Sequence, residues 1–456
     1  MRARLSSAIH QMNTALKNQG GTGHAQRRDV QLVQGVLSAL AGRGVAAIVS
    51  FVSVPLTVRY LGAERYGAWI IISTAIAWIA LADLGLSNSL TNAVSEGYAQ
   101  SREDLAQSYV AAAFWSLAGI AGLLSIAFFF IWPHVSWDRV FNVRSLQARE
   151  EVGPAVAVAF AIFVLNLPFS ITGKIYGAYQ EVAKGNAWSA AGNVLGLAAL
   201  VAVTRFNGGL ISLVIAVSGA VLIVNMISAV WLFSRAKPWL IPRPSRVRYS
   251  AIRKLTSLGG MFFVIQVAGL VLFQTDNLII AHYLGAAAVT PYSVTWRLFT
   301  YTALFQILAG PAYWPAYAEA FARGDRVWVR RRFKVNLRIT IGSTLLLVLP
   351  LVFFGRSIIK RWAGSAAVPP GALLLWMGMW SLIYSAMNSQ SCLLSGSGRV
   401  KVQMIYSAVA AVVNLILTIV LVQRMGLVGV IMGTVGAYLI CIVVPQSIEV
   451  ERSIRG

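Results

Sequence analysis

Twelve long apolar segments constrain the fold of this chain more than any other feature of its sequence. Most of them approach or exceed the roughly 20 residues that an α-helix needs to cross the hydrocarbon core of a bilayer. Charged residues make up only 12% of the chain, whereas a soluble domain carries about a quarter. We therefore predict an all-α integral membrane protein with about twelve transmembrane helices. The predicted segments are 30–58, 66–90, 105–133, 152–173, 186–204, 208–234, 255–280, 289–313, 335–355, 368–394, 402–422 and 427–448.

An internal repeat divides these segments into two sets of six. The sequence Leu-Gly-Ala at 61–63 returns at 284–286, an offset of 223 residues (285 − 62 = 223). Glu96 and Glu319 share the same offset (319 − 96 = 223). Because six is an even number, both halves enter the membrane in the same sense. We therefore predict two six-helix bundles related by an axis along the membrane normal, an arrangement typical of transporters.

A basic segment, 235–254, separates the two sets and contains three prolines. Lysine and arginine concentrate in short loops that remain in the cytoplasm, and placing this segment and both chain ends there leaves most basic residues on that side. The predicted organisation is a cytoplasmic N-terminal tail 1–29, an N-terminal six-helix half 30–234, a basic cytoplasmic linker 235–254, a C-terminal six-helix half 255–449 and a cytoplasmic tail 450–456.

The formal net charge of +23 is explained by this topology. It does not indicate a nucleic-acid partner, because no basic stretch accompanies a DNA- or RNA-binding module. Anionic lipid head groups are a further candidate partner for the basic loops. The two cysteines and four histidines are scattered, so we predict no disulfide framework, no metal site and no cofactor.

No catalytic motif stands out in the sequence. A Walker A sequence, a Gly-x-Ser-x-Gly elbow and a His-Glu-x-x-His motif are all absent from it. We therefore predict that the chain is not an enzyme, and that its work is driven by a gradient, by the membrane potential or by consumption of its product.

Two arginines lie inside predicted membrane segments. A charge at bilayer depth costs a few kcal/mol, so such a residue faces a cavity, a partner or a substrate. Arg43 and Arg297 are predicted to project into a cleft between the halves and bind an anionic group, because guanidinium offers paired donors that suit phosphate oxygens. The alternative is structural pairing of Arg43 with Asp83 or of Arg297 with Asp276.

Four further polar residues within the membrane segments are candidates. Asp83 and Asp276 are predicted to be structural or coupling residues. Asn88 and Gln266 are candidates for substrate contact, with interhelical hydrogen bonding as the alternative. Gln266 occupies the repeat position of Arg43 (266 − 43 = 223), so the cleft is predicted to be chemically unequal between the halves.

Aromatic residues near the predicted helix ends are assigned first to the membrane interface, where such rings are enriched. Stacking on a sugar is the alternative role. The residues concerned are Trp69, Trp78, Tyr313, Trp314 and Tyr317.

Several short motifs carry a resemblance to a known family. In the N-terminal half they are Tyr60-Leu61-Gly62, Tyr66-Gly67-Ala68-Trp69, Asp83-Leu84-Gly85-Leu86-Ser87-Asn88 and Val94-Ser95-Glu96, and in the C-terminal half Asp276-Asn277-Leu278-Ile279-Ile280 followed by Tyr283-Leu284-Gly285. Together they resemble the bacterial oligosaccharide flippases, the O-antigen and exopolysaccharide repeat-unit translocases of the multidrug/oligosaccharidyl-lipid/polysaccharide superfamily. The likeness covers about residues 30–450.

The resemblance implies an inner-membrane protein that moves a polyprenyl-pyrophosphate-linked oligosaccharide from the cytoplasmic to the periplasmic leaflet. It also implies two bundles that alternate between inward-open and outward-open states, with a cationic lumen in which Arg43 and Arg297 would lie. A polysaccharide polymerase and glycosyltransferases are the expected partners. Twelve rather than fourteen helices argues against the lipid II flippase branch.

Two other functions remain open from the sequence. A cation-coupled multidrug antiporter of the same superfamily would need acidic residues in its cleft, whereas this chain offers two aspartates and two arginines. A non-transporting scaffold of a polysaccharide-synthesis complex would not need arginines inside the membrane or an internal duplication.

Overall fold

The computed structural model describes residues 23–303, 313–314 and 316–455, and these residues are almost entirely helical. A helix satisfies its own backbone N–H and C=O groups, as a chain in hydrocarbon requires. Among the described residues, nine helices are long and apolar enough to cross a membrane by length and composition. The prediction of an all-α integral membrane protein is confirmed.

Three of the twelve predicted segments are not counted separately among these nine helices. The second follows the first across a break at Gly62, and most of both falls within the single span Ser38–Asp83. The eighth, 289–313, lies partly outside the described residues. The tenth coincides with the helix Gly371–Gly396. Each predicted segment therefore consists mostly of helix in the part of the chain that the structure describes.

The N-terminal half consists of eight helices, two of them short pieces that flank longer ones. They are α1 (Gly23–Ile79), α2 (Leu86–Ala99), α3 (Glu103–Ile131), α4 (Trp137–Val140), α5 (Leu146–Phe169), α6 (Ile171–Ala178), α7 (Val182–Arg205) and α8 (Gly209–Trp231). A 3₁₀ turn at Ala80–Asp83 connects α1 to α2.

The connection between the halves and the C-terminal half follow. The connection contains a π-helical turn, Leu232–Ala236, and two 3₁₀ turns, Pro238–Leu240 and Pro244–Arg246. The helices of the C-terminal half are α9 (Tyr249–Leu284), α10 (Ala286–Thr300), α11 (Arg326–Ala363), α12 (Gly371–Gly396), α13 (Val400–Met425), α14 (Leu427–Tyr438) and α15 (Val444–Arg455).

Local side-chain chemistry fixes where several of these helices begin. The Ser145 hydroxyl accepts a hydrogen bond from the backbone N–H of Ala148 at 3.3 Å and caps α5. The Asp325 carboxylate accepts one from the N–H of Trp328 at 2.9 Å and caps α11. Such caps satisfy N–H groups that the first turn of a helix leaves free.

The repeated Leu-Gly-Ala sequence makes the same turn in both halves. Gly62 interrupts α1 with φ 74° and ψ 179°, and Gly285 separates α9 from α10 with φ 90° and ψ 163°. Glycine adopts a positive φ without the steric penalty that other residues meet. We call the end of the molecule where these turns lie the far side, and the end that carries the connection 237–248 the linker side.

The two halves are packed together on the far side. A Cβ at Gly67, in the second limb of α1, would overlap the carbonyl oxygen of Ala286 in α10, so the two backbones touch there. The hydroxyl of Thr290 donates a hydrogen bond to the carbonyl oxygen of Ala63. The amide of Asn142 donates to the carbonyl oxygen of Ala281 at 3.3 Å. Each of these contacts joins the N-terminal half to the C-terminal half.

The buried apolar residues follow the same division. One large core cluster contains residues from both halves, among them Val58, Leu61, Ile280, Val289 and Leu373. On the linker side, the described residues form two separate clusters, one around α2, α3, α6 and the start of α9, and the other around α11, α12 and α15. The halves therefore share a core on the far side, whereas on the linker side the start of α9 packs with the N-terminal half and α11, α12 and α15 form a core of their own.

Candidate functional site

A polar cavity of about 720 Å³ lies between the two halves. The N-terminal half contributes both limbs of α1 to its wall, and the C-terminal half contributes α9, α10 and the 3₁₀ turn that follows α10. Hydroxyl, amide, carboxyl and guanidinium groups all line it, inside a chain that is 57% hydrophobic. Concave sites with a few converging polar groups are where ligands bind most often.

Arg43 and Arg297 both line this cavity, one from each half. The Arg297 guanidinium donates a hydrogen bond from Nη1 to the Ser50 hydroxyl at 2.8 Å, which ties α10 to the first limb of α1. The structure therefore brings together the two arginines that the sequence singled out. Their predicted role in binding an anionic group stays a prediction.

The alternative ion pairs do not form in the described part of the chain. Its salt bridges include neither Arg43 with Asp83 nor Arg297 with Asp276. Both guanidinium groups therefore line the cavity without a salt-bridge partner among the described residues. Charge-assisted hydrogen bonds to a bound anion are the interaction for which such donors are best suited.

Asp276 lies in the cavity wall and is only 4% exposed. Its Oδ2 accepts hydrogen bonds from the Tyr292 hydroxyl and, at 3.5 Å, from the Thr434 hydroxyl. Thr434 in turn accepts a hydrogen bond from the Asn414 amide at 3.0 Å. The other oxygen, Oδ1, has no hydrogen-bond partner among the described residues. A buried carboxyl group thus connects the cavity to α13 and α14.

Asp83 has a different environment and does not line the cavity. Its Oδ1 accepts a hydrogen bond from the backbone N–H of Gly85 at 2.7 Å. Leu84 and Gly85 both have a positive φ, so this bond lies in the break between the 3₁₀ turn and α2. The Asp83 contact stabilises a local backbone conformation. The hydrogen bonds of Asp276, in contrast, join α9 to α10 and α14 in the wall of the cavity.

Asn88 and Gln266 also lie outside the cavity wall. Asn88 accepts a hydrogen bond from the Lys174 ammonium group at 2.7 Å, which joins α2 to α6. The amide nitrogen of Gln266 is buried without a hydrogen-bond partner in the described part of the chain. The structure therefore does not bring these two residues together with the arginines.

Sequence reasoning missed the aromatic part of the site. Tyr66, Tyr292, Trp296 and Tyr301 line the cavity, and the Tyr301 hydroxyl donates to the carbonyl oxygen of Ala47 at 3.3 Å. The five aromatic residues considered from the sequence, Trp69, Trp78, Tyr313, Trp314 and Tyr317, are absent from the described cavity wall. The adjacent positions of Trp296 and Arg297 were the one available signal.

Two helical bundles around a polar cavity define a membrane protein of the transporter type. The match of a family model agrees with this class. The chain belongs to the polysaccharide biosynthesis protein family, whose model matches residues 32–321, more than half of its length. A second model, MatE, matches residues 262–420. The resemblance to the oligosaccharide flippases of the superfamily is confirmed.

Two curated relatives carry names that refer to O-antigen. A putative O-antigen transporter from Salmonella typhi is 25% identical over 280 residues, and this alignment spans 60% of the present chain and 62%, less than two thirds, of the relative. A putative O-antigen export protein from Yersinia pseudotuberculosis is 22% identical over 421 residues, 89% of this chain and 92% of the relative.

Solved structures share the fold at low sequence identity. An inward-facing multidrug resistance MATE family transporter of the MOP superfamily superposes with a TM-score of 0.75 at 13% identity, covering 93% of this chain and 98% of the other. The lipid II flippase MurJ, in an inward closed conformation, superposes with a TM-score of 0.69 at 13% identity, covering 92% and 89%. The predicted two-bundle fold is therefore confirmed.

Proposed function

We propose that this protein is a flippase that moves a polyprenyl-pyrophosphate-linked oligosaccharide from the cytoplasmic to the periplasmic leaflet for surface polysaccharide synthesis. The observation that carries the proposal is the position of Arg43 and Arg297, which come from opposite halves and line one cavity. Membership of the polysaccharide biosynthesis family and the names of the two relatives support the same substrate class.

The chemistry of the cavity suits a lipid-linked diphosphate. Two guanidinium groups offer planar sets of donors to the phosphate oxygens and stay charged at physiological pH. The attraction is stronger there than in water, because the effective dielectric constant inside a protein is lower. The polyprenyl chain stays in the bilayer while the cavity shields the charged head from hydrocarbon.

Alternating access then supplies the transport cycle. The halves share a core on the far side, while on the linker side the cluster of α11, α12 and α15 is separate from the one around α2, α3, α6 and the start of α9, an arrangement that suits loading from the linker side. The basic segment 235–254 assigns the linker side to the cytoplasm by the positive-inside bias. Release requires the far-side contacts to part, and the substrate drives the cycle only if it binds the two states with different affinity.

The proposal includes a location and partners. The chain is a multi-pass membrane protein, and we assign it to the bacterial inner membrane with both termini in the cytoplasm. Glycosyltransferases that build the lipid-linked oligosaccharide on the cytoplasmic leaflet would supply the substrate. A polysaccharide polymerase on the other side would consume the product and prevent its return.

The test measures lipid-linked intermediates by mass spectrometry in a strain that lacks the protein. We expect a polyprenyl-pyrophosphate oligosaccharide to accumulate and the wild-type chain to relieve the accumulation. Arg43→Ala and Arg297→Ala should fail to relieve it, whereas Arg205→Ala, an exposed arginine at the end of α7, should succeed. Unchanged lipids and unchanged surface polysaccharide in the deletion strain would reject the flippase. Relief by both cavity variants would reject the arginine site.

A cation-coupled multidrug antiporter is the second candidate. The match of the MatE model to residues 262–420 and the Asp276 carboxyl in the cavity wall favour it. An antiporter would make the deletion strain more sensitive to cationic dyes, and Asp276→Asn would not restore resistance. Unchanged dye sensitivity together with accumulated lipid would decide for the flippase.

A further inference from the structure

A second, smaller pocket opens off the central cavity within the C-terminal half. Its volume is about 190 Å³, and Phe273, Gln274, Trp296 and Thr300 line both the pocket and the cavity. One water molecule needs roughly 10–15 Å³ of such cavity volume, so the pocket has room for a group many times larger than one water. The side pocket is therefore large enough for a single ring that is part of a ligand held in the cavity.

Aromatic rings form a continuous row along the side pocket. Tyr292 stacks on Trp296 with ring centroids 6.2 Å apart, and Trp296 stacks on Trp380 at 5.7 Å. Trp380 contacts Tyr384 at 5.5 Å and Tyr438 at 4.5 Å. The row crosses from α10 to α12 and α14, so its rings are held by three helices. A rigid aromatic surface loses little conformational entropy when a ligand rests on it.

Polar groups accompany the rings. The Gln274 carboxamide, with two N–H donors and a carbonyl acceptor, lines both the side pocket and the cavity. The Thr300 and Ser381 hydroxyls donate to the carbonyl oxygens of Trp296 and Met377, which leaves their lone pairs to accept hydrogen bonds. No formally charged residue appears among the described residues that line the pocket.

We propose that this side pocket is a glycan subsite that takes the sugar attached directly to the diphosphate. This inference rests on the proposed function, because it assigns part of the same lipid-linked oligosaccharide. The apolar face of a pyranose ring rests on the edges and faces of the Trp296 and Tyr384 rings. Its hydroxyl groups exchange hydrogen bonds with Gln274, Thr300 and Ser381.

The composition of the pocket selects this occupant over a hydrocarbon chain. A polyprenyl or acyl segment would bury the Gln274 carboxamide without partners, and an unpaired buried amide is costly. The position also fits the order of groups in the substrate. Trp296 and Arg297 are consecutive in α10 and line the same cavity, as a first sugar and its diphosphate are consecutive in the ligand.

The test compares two lipids on the purified full-length chain, with affinities measured by native mass spectrometry. One is the polyprenyl-pyrophosphate oligosaccharide that accumulates in the deletion strain, and the other is polyprenyl pyrophosphate without sugar. We expect Trp296→Leu to weaken binding of the sugar-bearing lipid by about tenfold while binding of the bare lipid changes by less than about twofold. Trp231→Leu, at an exposed tryptophan of α8 remote from the cavity wall, serves as the control.

Two further variants keep the test decisive. Trp296→Phe retains a ring and should retain most of the preference for the sugar-bearing lipid over the bare lipid. Gln274→Leu should reduce this preference without removing a ring from the aromatic row. If Trp296→Leu does not fold, the affinities of Gln274→Leu for the two lipids test the glycan subsite instead. Equal loss for both lipids, or wild-type binding that ignores the sugar, overturns the glycan subsite. Failure of the wild-type chain to bind either lipid overturns the proposed function instead.

Discussion

The two walls of the central cavity differ more than an internal duplication would suggest. The wall from the N-terminal half is built largely from small side chains, Ala46, Ala47, Ser50, Ser73, Thr74 and Ala77. The wall from the C-terminal half carries Phe273, Gln274, Asp276, Tyr292, Trp296 and Tyr301. At the repeat offset, Ser73 is the counterpart of Trp296 (296 − 73 = 223). The backbone turn is the same in both halves, whereas the cavity surface has diverged.

This difference indicates that the two cavity walls have different roles. Each wall supplies one arginine, so the proposed site for the anionic head is complete only when both halves approach it. The tryptophan and amide groups that can recognise a particular ligand belong to the C-terminal half, and the N-terminal half adds the ring of Tyr66. We therefore expect binding of the diphosphate to depend on how the two halves approach each other. Binding of the sugar should depend on the C-terminal half.

The largest effect should follow from removing the charge on both walls. Each arginine contributes about 1.5–3 kcal/mol through charge-assisted hydrogen bonds, so Arg43→Ala with Arg297→Ala should slow translocation of lipid-linked oligosaccharide about 100-fold or more. The rate in proteoliposomes measures this. Lysine at both positions should recover part of the loss, because it keeps the charge without the planar donors. A wild-type rate in either single variant would contradict the shared site.

A large side chain at the far-side contact should separate the walls there. At Gly67 even a Cβ overlaps the carbonyl oxygen of Ala286, so Gly67→Leu forces the halves apart. We expect Thr290→Cys to react at least about tenfold faster with an impermeant thiol reagent in the Gly67→Leu background than with Gly67 present, equivalent to about 1.4 kcal/mol. Gly219→Leu, where a Cβ meets nothing within 4 Å, should leave the reaction rate unchanged. Equal labelling in both variants would mean that this contact does not seal the far side.

The carboxyl group in the C-terminal wall provides a third comparison. Asn at 276 still accepts a hydrogen bond from Tyr292 but carries no charge, and the repeat position in the other half is the uncharged Ser53 (276 − 53 = 223). If Asp276 is a coupling residue, Asp276→Asn should keep its fold and lose the acceleration that an imposed proton or sodium gradient gives the wild type. Transport assays with and without a gradient measure the difference. A retained gradient response would assign Asp276 a structural role only.

The smallest effect should come from the other intramembrane aspartate. Asp83 accepts one backbone hydrogen bond from Gly85 and does not line the cavity. Asp83→Ala should therefore cost about 1–2 kcal/mol of stability and lower the unfolding temperature in detergent by a few degrees. Translocation per folded molecule should equal that of the wild type. A loss of transport without a loss of stability would place Asp83 in the transport machinery.

The arginines of the site could be predicted from the sequence, and its aromatic row could not. A charge in an apolar segment must face a polar space, so Arg43 and Arg297 point to a cavity without any knowledge of packing. An aromatic residue is stable almost anywhere in a membrane protein. The position of Trp380 and Tyr384 beside Trp296 depends on how α12 is rotated against α10, and no local pattern in the sequence encodes that rotation.

The 223-residue offset matches the two turns at Gly62 and Gly285, but it does not match the residues that line the cavity. Gln266 is the repeat partner of Arg43, yet α9 lines the cavity only from Phe273 onward. Phe273 lies seven positions after Gln266, which is about two helical turns. The cavity therefore extends about two turns farther along α1 than along α9. Equivalent positions in two diverged bundles therefore share a backbone conformation without sharing a site.

The break at Leu84–Gly85 has a mechanical consequence for the helix that begins after Gly62. A Cβ at Gly85 would overlap the carbonyl oxygen of Gly259 in α9, so the break rests directly against the opposite half. The far-side contact of Gly67 lies at the other end of the same segment. We expect the segment from Gly67 to Asp83 to move about the contact at Gly85 when the far-side contact at Gly67 parts. Spin-label distances should then change at the Gly67 end of this segment and hardly at all beside Gly85.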